Sequence, residues 1–179
     1  MFIVRPAGEL DARRMQDIER LAGDRFREVG LAVVADDEPS SLDELRRHAT
    51  DGRSWVAVGA SGELVGYVMV SDVDGHVHVD QMSVDPEHQG MGAGRALIDR
   101  VRSWALETGC YGITLTTYAD VPWNRPLYEH LGFRVLNDSE VGPEMQAIRD
   151  AELARGLDVR PRVCMYLDAA RRSGSSAVS

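Results

Sequence analysis

The sequence predicts an α/β (α+β) fold in a single domain over residues 1–170, with a mixed, mostly antiparallel sheet of about seven strands and helices on both faces. Three Val-rich segments, residues 55–60, 64–71 and 76–84, are separated by turn signals and predict an antiparallel meander. An amphipathic helix is predicted directly after them, over residues 92–108. Strands and helices then alternate into the second half of the chain, which is typical of this fold class.

The remaining elements are predicted from hydrophobic periodicity and from start and stop signals. Before the meander, they are a strand at residues 2–5, a helix at 11–21, a loop at 23–41 and a helix at 42–49. Ser40 or Ser41 is predicted to cap the second of these helices. After residue 108, they are a strand at 113–117, a helix at 124–131, a turn and strand at 132–135, a helix at 144–155 and a strand at 162–167. The Ser- and Gly-containing tail, residues 171–179, is predicted to be disordered.

Charge and cysteine content narrow the function classes. The chain has 20 Lys and Arg against 29 Asp and Glu, a net charge of −9. Such an excess of carboxylates repels phosphate backbones and anionic lipid surfaces, so we expect neither a nucleic-acid nor a membrane partner. Cys110 and Cys164 lie among apolar residues and are interpreted as reduced thiols. With no leader-like start and no stretch of membrane-spanning length, a cytoplasmic protein is expected.

A glycine-rich turn leaves the third strand of the meander and opens the long helix. It reads Gln89-Gly90-Met91-Gly92-Ala93-Gly94-Arg95. Small residues let the backbone approach a ligand, and unpaired N–H groups at a helix start favour a pyrophosphate. A P-loop is excluded because no Gly-Lys-Ser/Thr follows, and the dinucleotide pattern G-x-G-x-x-G fails at its last glycine. A tight structural turn without a ligand is the alternative.

Two motifs carry a resemblance to a known superfamily. Residues 89–94, preceded by Val84-Asp85-Pro86, resemble the Q/R-x-x-G-x-G/A acyl-CoA signature of the GNAT superfamily of N-acyltransferases. Residues 123–133 resemble the later GNAT motif, an Asn followed by Leu-Tyr-x-x-x-Gly-Phe. The resemblance covers residues 55–135, and the flanking segments agree only in the order of their elements.

The resemblance implies an enzyme that uses acetyl-CoA as cosubstrate, a splayed pair of neighbouring parallel strands that holds it, and a homodimer. Main-chain groups of three residues, Met82, Ser83 and Val84, are expected to bind the pantetheine arm and polarise the acyl carbonyl. The pyrophosphate is expected to bind the main-chain amides of Gln89, Gly90, Met91, Gly92, Ala93, Gly94 and Arg95.

The later motif assigns two further residues. Tyr128 matches the family tyrosine near the thioester sulfur and is predicted to be the general acid that protonates the departing thiolate. A core tyrosine with a hydrogen-bonded hydroxyl is the alternative. Asn124 matches the family asparagine that helps to hold cofactor or water, although it lies closer to Tyr128 in sequence than in many members. An N-cap role is its alternative.

A general base is also needed, because an amine with a pKa near ~10 is protonated at neutral pH. His76, His78 and Asp80 alternate along one predicted strand and would share a face, and Asp80 is predicted to be the base. The alternative is a solvated strand face, and Glu38, Asp120 or a water chain could serve instead. The His-x-His pattern is not interpreted as a metal site, because no further ligand cluster follows.

The function predicted from the resemblance is transfer of an acetyl group from acetyl-CoA to a primary amine of a small molecule or peptide, by direct attack in a ternary complex. A non-catalytic acyl-CoA sensor is the alternative from another class. Peptide N-terminal acetylation is a third possibility.

Overall fold

The structure of the chain, a computed structural model, describes residues 2–170. Its strands are β1 (Ile3–Pro6), β2 (Ser54–Val58), β3 (Leu64–Val73), β4 (His76–Val84), β5 (Gly112–Tyr118), β6 (Arg134–Val135) and β7 (Arg162–Asp168). Its helices are α1 (Ala12–Asp24), α2 (Ala32–Ala35), α3 (Leu42–Thr50), α4 (Ala93–Glu107), α5 (Arg125–His130) and α6 (Pro143–Ala154). The strands are hydrogen-bonded in the order β1-β2-β3-β4-β5-β7-β6, which confirms the predicted α/β fold with a mixed seven-stranded sheet.

The chain divides into two compact units. Among the described residues, unit 1 holds those up to Ser71 together with Val79–Val101. Unit 2 holds Asp72–His78 and the described residues from Arg102 onward. Strand β4 therefore belongs to unit 2 up to His78 and to unit 1 from Val79.

The sheet of unit 1 is antiparallel where β1, β2 and β3 pair. β1 pairs with β2 from Ile3 opposite Val58 to Pro6 opposite Trp55. β2 pairs with β3 starting from Ser54 opposite Met69, and the register shifts between Ala57 and Val58. The first two strands of the predicted meander, β2 and β3, are therefore antiparallel neighbours, and β4 follows β3 in the strand order.

Helices pack on both faces of the unit 1 sheet. Val56 of β2 belongs to a buried cluster with Met15 of α1 and Leu45 of α3. Its neighbour Trp55 points to the opposite face, because side chains alternate along a strand. There, the guanidinium of Arg100 in α4 lies over the Trp55 ring at 5.3 Å from its centroid. The expectation of helices on both faces is confirmed for this unit.

The prediction of a loop at residues 23–41 is wrong in part. A 3-10 helix spans Arg25–Val29, and α2 follows it. Gly30, with a φ of 76°, lets the chain reverse between them. Both helices are too short to produce a recognisable hydrophobic period, so no helix could be predicted here from the pattern of residues. Of the two predicted capping residues for α3, Ser41 is the cap, and its Oγ accepts the Glu44 N–H at 3.2 Å.

Strands β5, β7 and β6 form the antiparallel part of unit 2. β5 pairs with β7 along its whole length, from Gly112 opposite Asp168 to Tyr118 opposite Arg162. At the other side of β5, the parallel register with β4 comprises Val77 opposite Ile113 and His78 opposite Thr114. These pairs lie at the start of both strands. The predicted splay of this strand pair beyond them stays a prediction.

Helix α6 is held in unit 2 by Asp74, in the turn between β3 and β4. The Asp74 carboxylate accepts the Glu144 N–H at 3.0 Å and the Met145 N–H at 2.8 Å. Amides at a helix start lack partners inside the helix, so this carboxylate caps the helix and opposes its positive end. Met145 then packs against Val73 and Cys164. The cap and the apolar cluster together fix the start of α6.

Several further expectations concern the chain as a whole. Cys110 and Cys164 are free thiols, as predicted. Within residues 2–170, no helix is both long enough and apolar enough to cross a membrane. The tail at residues 171–179, predicted to be disordered, lies outside the described residues. The domain bounds 1–170 stay a prediction.

Leu45→Ala is expected to lower the free energy of unfolding by about 2–5 kcal/mol, because it leaves a cavity in the cluster between α3 and β2. Leu10→Ala removes the same atoms from a side chain that is 99% exposed. That control is expected to change stability by less than about 0.5 kcal/mol. Urea denaturation of both variants measures the difference, and equal losses would contradict the assignment of Leu45 to the core.

Candidate functional site

Asp85 fixes the point at which the chain leaves β4. It is buried, its Oδ1 accepts the Glu87 N–H at 3.1 Å, and its Oδ2 accepts a hydrogen bond from Arg14 Nη2 at 2.6 Å. The Arg14 guanidinium also donates to the Leu64 carbonyl at 3.2 Å. Because α1, β3 and the end of β4 share these bonds, the glycine turn that follows starts from a fixed position.

The glycine turn contains two residues that require glycine. Gly90 and Gly92 have φ values of 74° and 95°, in the left-handed region that side chains disfavour. A Cβ at either residue would meet no atom within 4 Å. Glycine is therefore required by the backbone conformation and not by a lack of space. Helix α4 then begins, and the Ala96 N–H bonds to the Gly92 carbonyl at 3.0 Å.

The turn presents main-chain donors to solvent. Gly90, Met91 and Gly92 are exposed, and Ala93 begins α4 directly after them. The first N–H groups of a helix have no partner inside it, and the helix dipole adds a partial positive charge at this end. This arrangement suits an anion such as a diphosphate. Gly94 and Arg95 lie in the first turn of the helix.

The side chain of Gln89 ties the turn to two other parts of unit 1. Its Nε2 donates to the Val84 carbonyl at 3.1 Å, back across the turn. Its Oε1 accepts a hydrogen bond from Arg25 Nη1 at 2.8 Å. Arg25 lies in the segment that the sequence predicted as loop, so its proximity to the turn was missed. No local pattern could have revealed it, because the two residues are far apart in sequence.

In the part of β4 that belongs to unit 1, the regular alternation of side chains between the two faces of the sheet is interrupted. The Asp80 carboxylate contacts Ser71 of β3 and His48 of α3. The nearest atoms to a Cβ on Gly94 of α4 are those of Met82, at 3.7 Å, and Val84, at 3.9 Å. Since α3 and α4 cover opposite faces, residues 80 and 82 do not share a face as they would in a regular strand, which is typical of a β-bulge.

The main chain of β4 is accessible next to this change. The Asp80 side chain is only 24% exposed, yet the residue as a whole is exposed, so much of the accessible surface is main chain. Ser83 is buried, and its carbonyl lies 3.0 Å from the position of a Cβ on Gly66. Glycine at 66 lets β3 approach this carbonyl closely. The predicted pantetheine-binding residues, Met82, Ser83 and Val84, directly follow the accessible residues.

Asp80, the predicted base, has two side-chain partners in unit 1. Ser71 Oγ donates to its Oδ1 at 2.7 Å, and His48 Nε2 lies 3.4 Å from its Oδ2. The Asp80 carboxylate raises the pKa of His48, and burial of the ring acts in the opposite direction. His48 was not predicted as a site residue. The prediction considered only the neighbours of Asp80 along its own strand, His76 and His78. It could not identify a partner that comes from α3.

The other candidate bases lie in different surroundings. His78 is buried in unit 2, with its Nδ1 at 3.0 Å from Thr114 Oγ1. Glu38 is exposed before α3, and Asp120 forms an ion pair with Arg160 at 3.4 Å in unit 2. No group of three or more His, Cys, Asp or Glu residues suited to a metal ion occurs in residues 2–170.

Tyr128, the predicted acid, lies in α5 of unit 2. Its ring packs edge-on against Phe133, with 5.6 Å between the ring centroids. Burial raises the pKa of Tyr128 to about 12, while the charge of Arg162 acts in the opposite direction. Within the described chain, its hydroxyl has no hydrogen-bond partner. The alternative of a core tyrosine with a satisfied hydroxyl is therefore not supported.

Asn124 occupies the N-cap position of α5 but does not act as a capping side chain. It makes no side-chain hydrogen bond to the start of the helix. Its Nδ2 donates instead to Thr117 Oγ1 of β5 at 3.0 Å. Asn124 therefore stands at the N-cap position, as the alternative predicted, but its side chain does not cap the helix. The side-chain amide is directed to β5 instead.

Gly92→Ala and Gly94→Ala are expected to change stability in opposite directions. Alanine at 92 must adopt a φ of 95°, which costs roughly 1 kcal/mol. Position 94 is helical, and its nearest atom, Met82 Cε, is 3.7 Å from the new Cβ. Alanine there is expected to stabilise α4 by about 0.5 kcal/mol. Thermal denaturation of both variants measures the effects, and a stabilising Gly92→Ala would refute the strained turn.

Comparison with known proteins identifies a family. The model described as "Acetyltransferase (GNAT) family" matches residues 15–133, which is more than half of the 179-residue chain. The matched range includes α1 from Met15 onward, the strands β2, β3 and β4, the glycine turn, α4 and α5.

Individual relatives and structures agree with this match. Peptidyl-lysine N-acetyltransferase YjaB of Escherichia coli is 31% identical over 101 residues, which are 55% of this chain and 61% of that protein. Aminoglycoside N(6')-acetyltransferase type 1 of Stenotrophomonas maltophilia is 34% identical over 93 residues, 46% of this chain and 59% of that protein. The chain thus spans less than two thirds of the length of these relatives. The PaiA N-acetyltransferase of Thermoplasma acidophilum, solved with coenzyme A, has the same fold, with a TM-score of 0.69, 12% identity and coverage of 94% of this chain and 99% of that one.

The strand order, the glycine turn at the start of α4 and the match over residues 15–133 point to one conclusion. The chain belongs to the GNAT family of acetyltransferases.

Proposed function

We propose that the chain transfers an acetyl group from acetyl-CoA to a primary amine of a small molecule or peptide, by direct attack in a ternary complex. The observation that carries the proposal is the turn at Gly90 and Gly92, which presents exposed main-chain donors at the start of α4. Family membership supports the same reaction class.

In this proposal, acetyl-CoA is held mainly by the main chain. The pyrophosphate accepts hydrogen bonds from the amides of residues 89–95, where the helix dipole favours negative charge. Main-chain groups of Met82, Ser83 and Val84 bind the pantetheine arm and polarise the acyl carbonyl. Asn124, whose amide is directed to β5, assists in holding cofactor or water. Arg25 supports the turn through Gln89.

Tyr128 is proposed as the donor to the departing thiolate. A phenol with a pKa of about 12 stays protonated at neutral pH and so keeps a proton to donate. Such a phenol is a weaker acid than a free thiol, whose pKa is about 8.5, so complete transfer of its proton to the released thiolate is uphill. The contribution is therefore a hydrogen bond that strengthens as negative charge develops on sulfur.

The acceptor is proposed to be an amine that reaches Asp80. The net charge of −9 favours a cationic substrate. The names of the two relatives specify a peptidyl lysine in one case and an aminoglycoside in the other, which supports the class of primary amines. No acyl-enzyme is proposed, because the amine attacks the thioester directly; burial also raises the pKa of the Cys164 thiol, which makes this thiol a poor nucleophile.

Location and assembly remain part of the proposal. Two free cysteines are typical of proteins from a reducing compartment, which supports a cytoplasmic location. The homodimer implied by family resemblance is tested by light scattering of the purified chain.

The proposed function is tested with acetyl-CoA and a panel that contains a polyamine, an aminoglycoside, a lysine peptide and a peptide with a free N-terminus. Release of free thiol together with an acetylated product supports it, and mass spectrometry of the peptides separates lysine from N-terminal modification. Binding of coenzyme A without thiol release for any amine would support the sensor alternative instead.

Tyr128→Phe is expected to lower kcat by about 10²-fold, in the range typical of a lost hydrogen bond to developing negative charge, with little change in KM for acetyl-CoA. Tyr111→Phe is the matched control, because it removes the same hydroxyl from a side chain that is 62% exposed. Steady-state kinetics at constant pH measures both variants. A Tyr128→Phe enzyme within twofold of Tyr111→Phe would exclude Tyr128 as the donor.

A further inference from the structure

Three side chains from separate elements of unit 1 meet at Asp80. His48 comes from α3, Ser71 from β3 and Asp80 from β4. Ser71 Oγ donates to Asp80 Oδ1 at 2.7 Å, and His48 Nε2 faces Asp80 Oδ2 at 3.4 Å. The side chains of His48 and Asp80 are 17% and 24% exposed, so the pair is partly desolvated but can still be reached.

The hydrogen-bond partners fix which nitrogen of His48 can change its protonation. Nδ1 lies 3.0 Å from the carbonyl oxygen of Glu44, one turn earlier in α3. A carbonyl oxygen only accepts, so Nδ1 carries a hydrogen in both charge states. Nε2 is then the nitrogen that gains or loses a proton, and it faces the Asp80 carboxylate.

The carboxylate is oriented in the same way. A hydroxyl can donate only one hydrogen, and Ser71 directs it at Oδ1. This leaves Oδ2 for His48 Nε2. The 3.4 Å between His48 Nε2 and Asp80 Oδ2 is longer than a short hydrogen bond and is typical of an ion pair. Such contacts commonly shorten when substrate binds.

We propose that His48 is the final acceptor of the proton that the substrate ammonium loses, and that Asp80 passes it on. The inference rests on the proposed function, in which Asp80 meets the amine. The ammonium N–H bond breaks as an O–H bond forms at Asp80 Oδ2, and this Oδ2–H bond then breaks as an N–H bond forms at His48 Nε2. Asp80 ends as a carboxylate beside an imidazolium, and the free amine keeps the lone pair that attacks the thioester.

The ordinary pKa values of the two side chains favour His48 over Asp80 as the final acceptor of the proton. A carboxylic acid has a pKa of about 3.9 and an imidazolium about 6.5, so transfer from an ammonium to imidazole is about 400-fold less unfavourable. His48 acts through Asp80 and is a positioning and proton-holding residue, whereas Asp80 touches the substrate. Asp80 alone would be a weak base for this step.

The charged groups that face His48 all act in one direction. Asp80 of β4 and Glu44 of α3 raise the pKa of His48, and burial opposes them. Ser71 of β3 is neutral. Neutral His48, the form that can accept a proton, therefore predominates above this raised pKa and is lost as the pH falls through it. The rate is expected to fall with pH in the same range.

The pairing is tested first by NMR titration of the histidine rings in the full chain. Asp80→Asn is expected to move the pKa of His48 down toward about 6.5, because the neighbouring negative charge is lost. Asp43→Asn is the matched control, since it removes the same charge from a side chain of α3 that is 90% exposed. An unchanged pKa of His48 in Asp80→Asn would overturn the inference.

The proton-accepting role is tested by the pH dependence of kcat. His48→Gln is expected to lower kcat at neutral pH at least 10-fold, with KM for acetyl-CoA unchanged, and to abolish the acid limb set by His48. Asp80→Asn is expected to lower kcat at least as far and also to abolish this limb, because an amide cannot pass the proton on to His48. If His48 has only a structural role, the acid limb stays in place in His48→Gln. That result would overturn this inference and leave the proposed function standing. If the wild-type chain acetylates none of the amines, the proposed function fails and this inference fails with it.

Discussion

The main-chain N–H groups at the start of α4, which have no partners inside the helix, are the feature on which the rest of the candidate site depends. Gly90 and Gly92 take left-handed conformations that bring the chain into the helix at this point. A diphosphate placed there gains hydrogen bonds and a favourable dipole with no need for a cluster of basic residues. An acidic chain with a net charge of −9 can thus bind an anionic cofactor.

The surrounding bonds of unit 1 keep these groups in position. The Arg14–Asp85 ion pair fixes the end of β4, and Gln89 joins the turn to Val84 and to Arg25. The change of facing after Asp80 directs the carboxylate of Asp80 to α3 and the side chain of Met82 to α4. In the proposed function, one strand therefore serves acceptor chemistry on one face and cofactor binding through its main chain.

Sequence reasoning predicted the features that local pattern determines. The Val-rich strands, the period of α4 and the glycines of the turn all carry signals within a few residues. Arg25 and His48 were missed because each contacts a residue that is distant in sequence, Gln89 and Asp80 respectively. The short helices at residues 25–35 were missed because a single turn has no measurable period. Contacts between segments that are distant in sequence form only in the folded chain. They leave no local pattern from which a single sequence could predict them.

Amide NMR of the full-length chain titrated with coenzyme A tests the central claim most directly. The account predicts saturable shifts concentrated in the amides of residues 89–95, with pantetheine, which lacks the phosphates, binding more weakly and leaving these amides largely unchanged. Shifts of equal size with pantetheine, or coenzyme A binding that leaves residues 89–95 unperturbed, would contradict it.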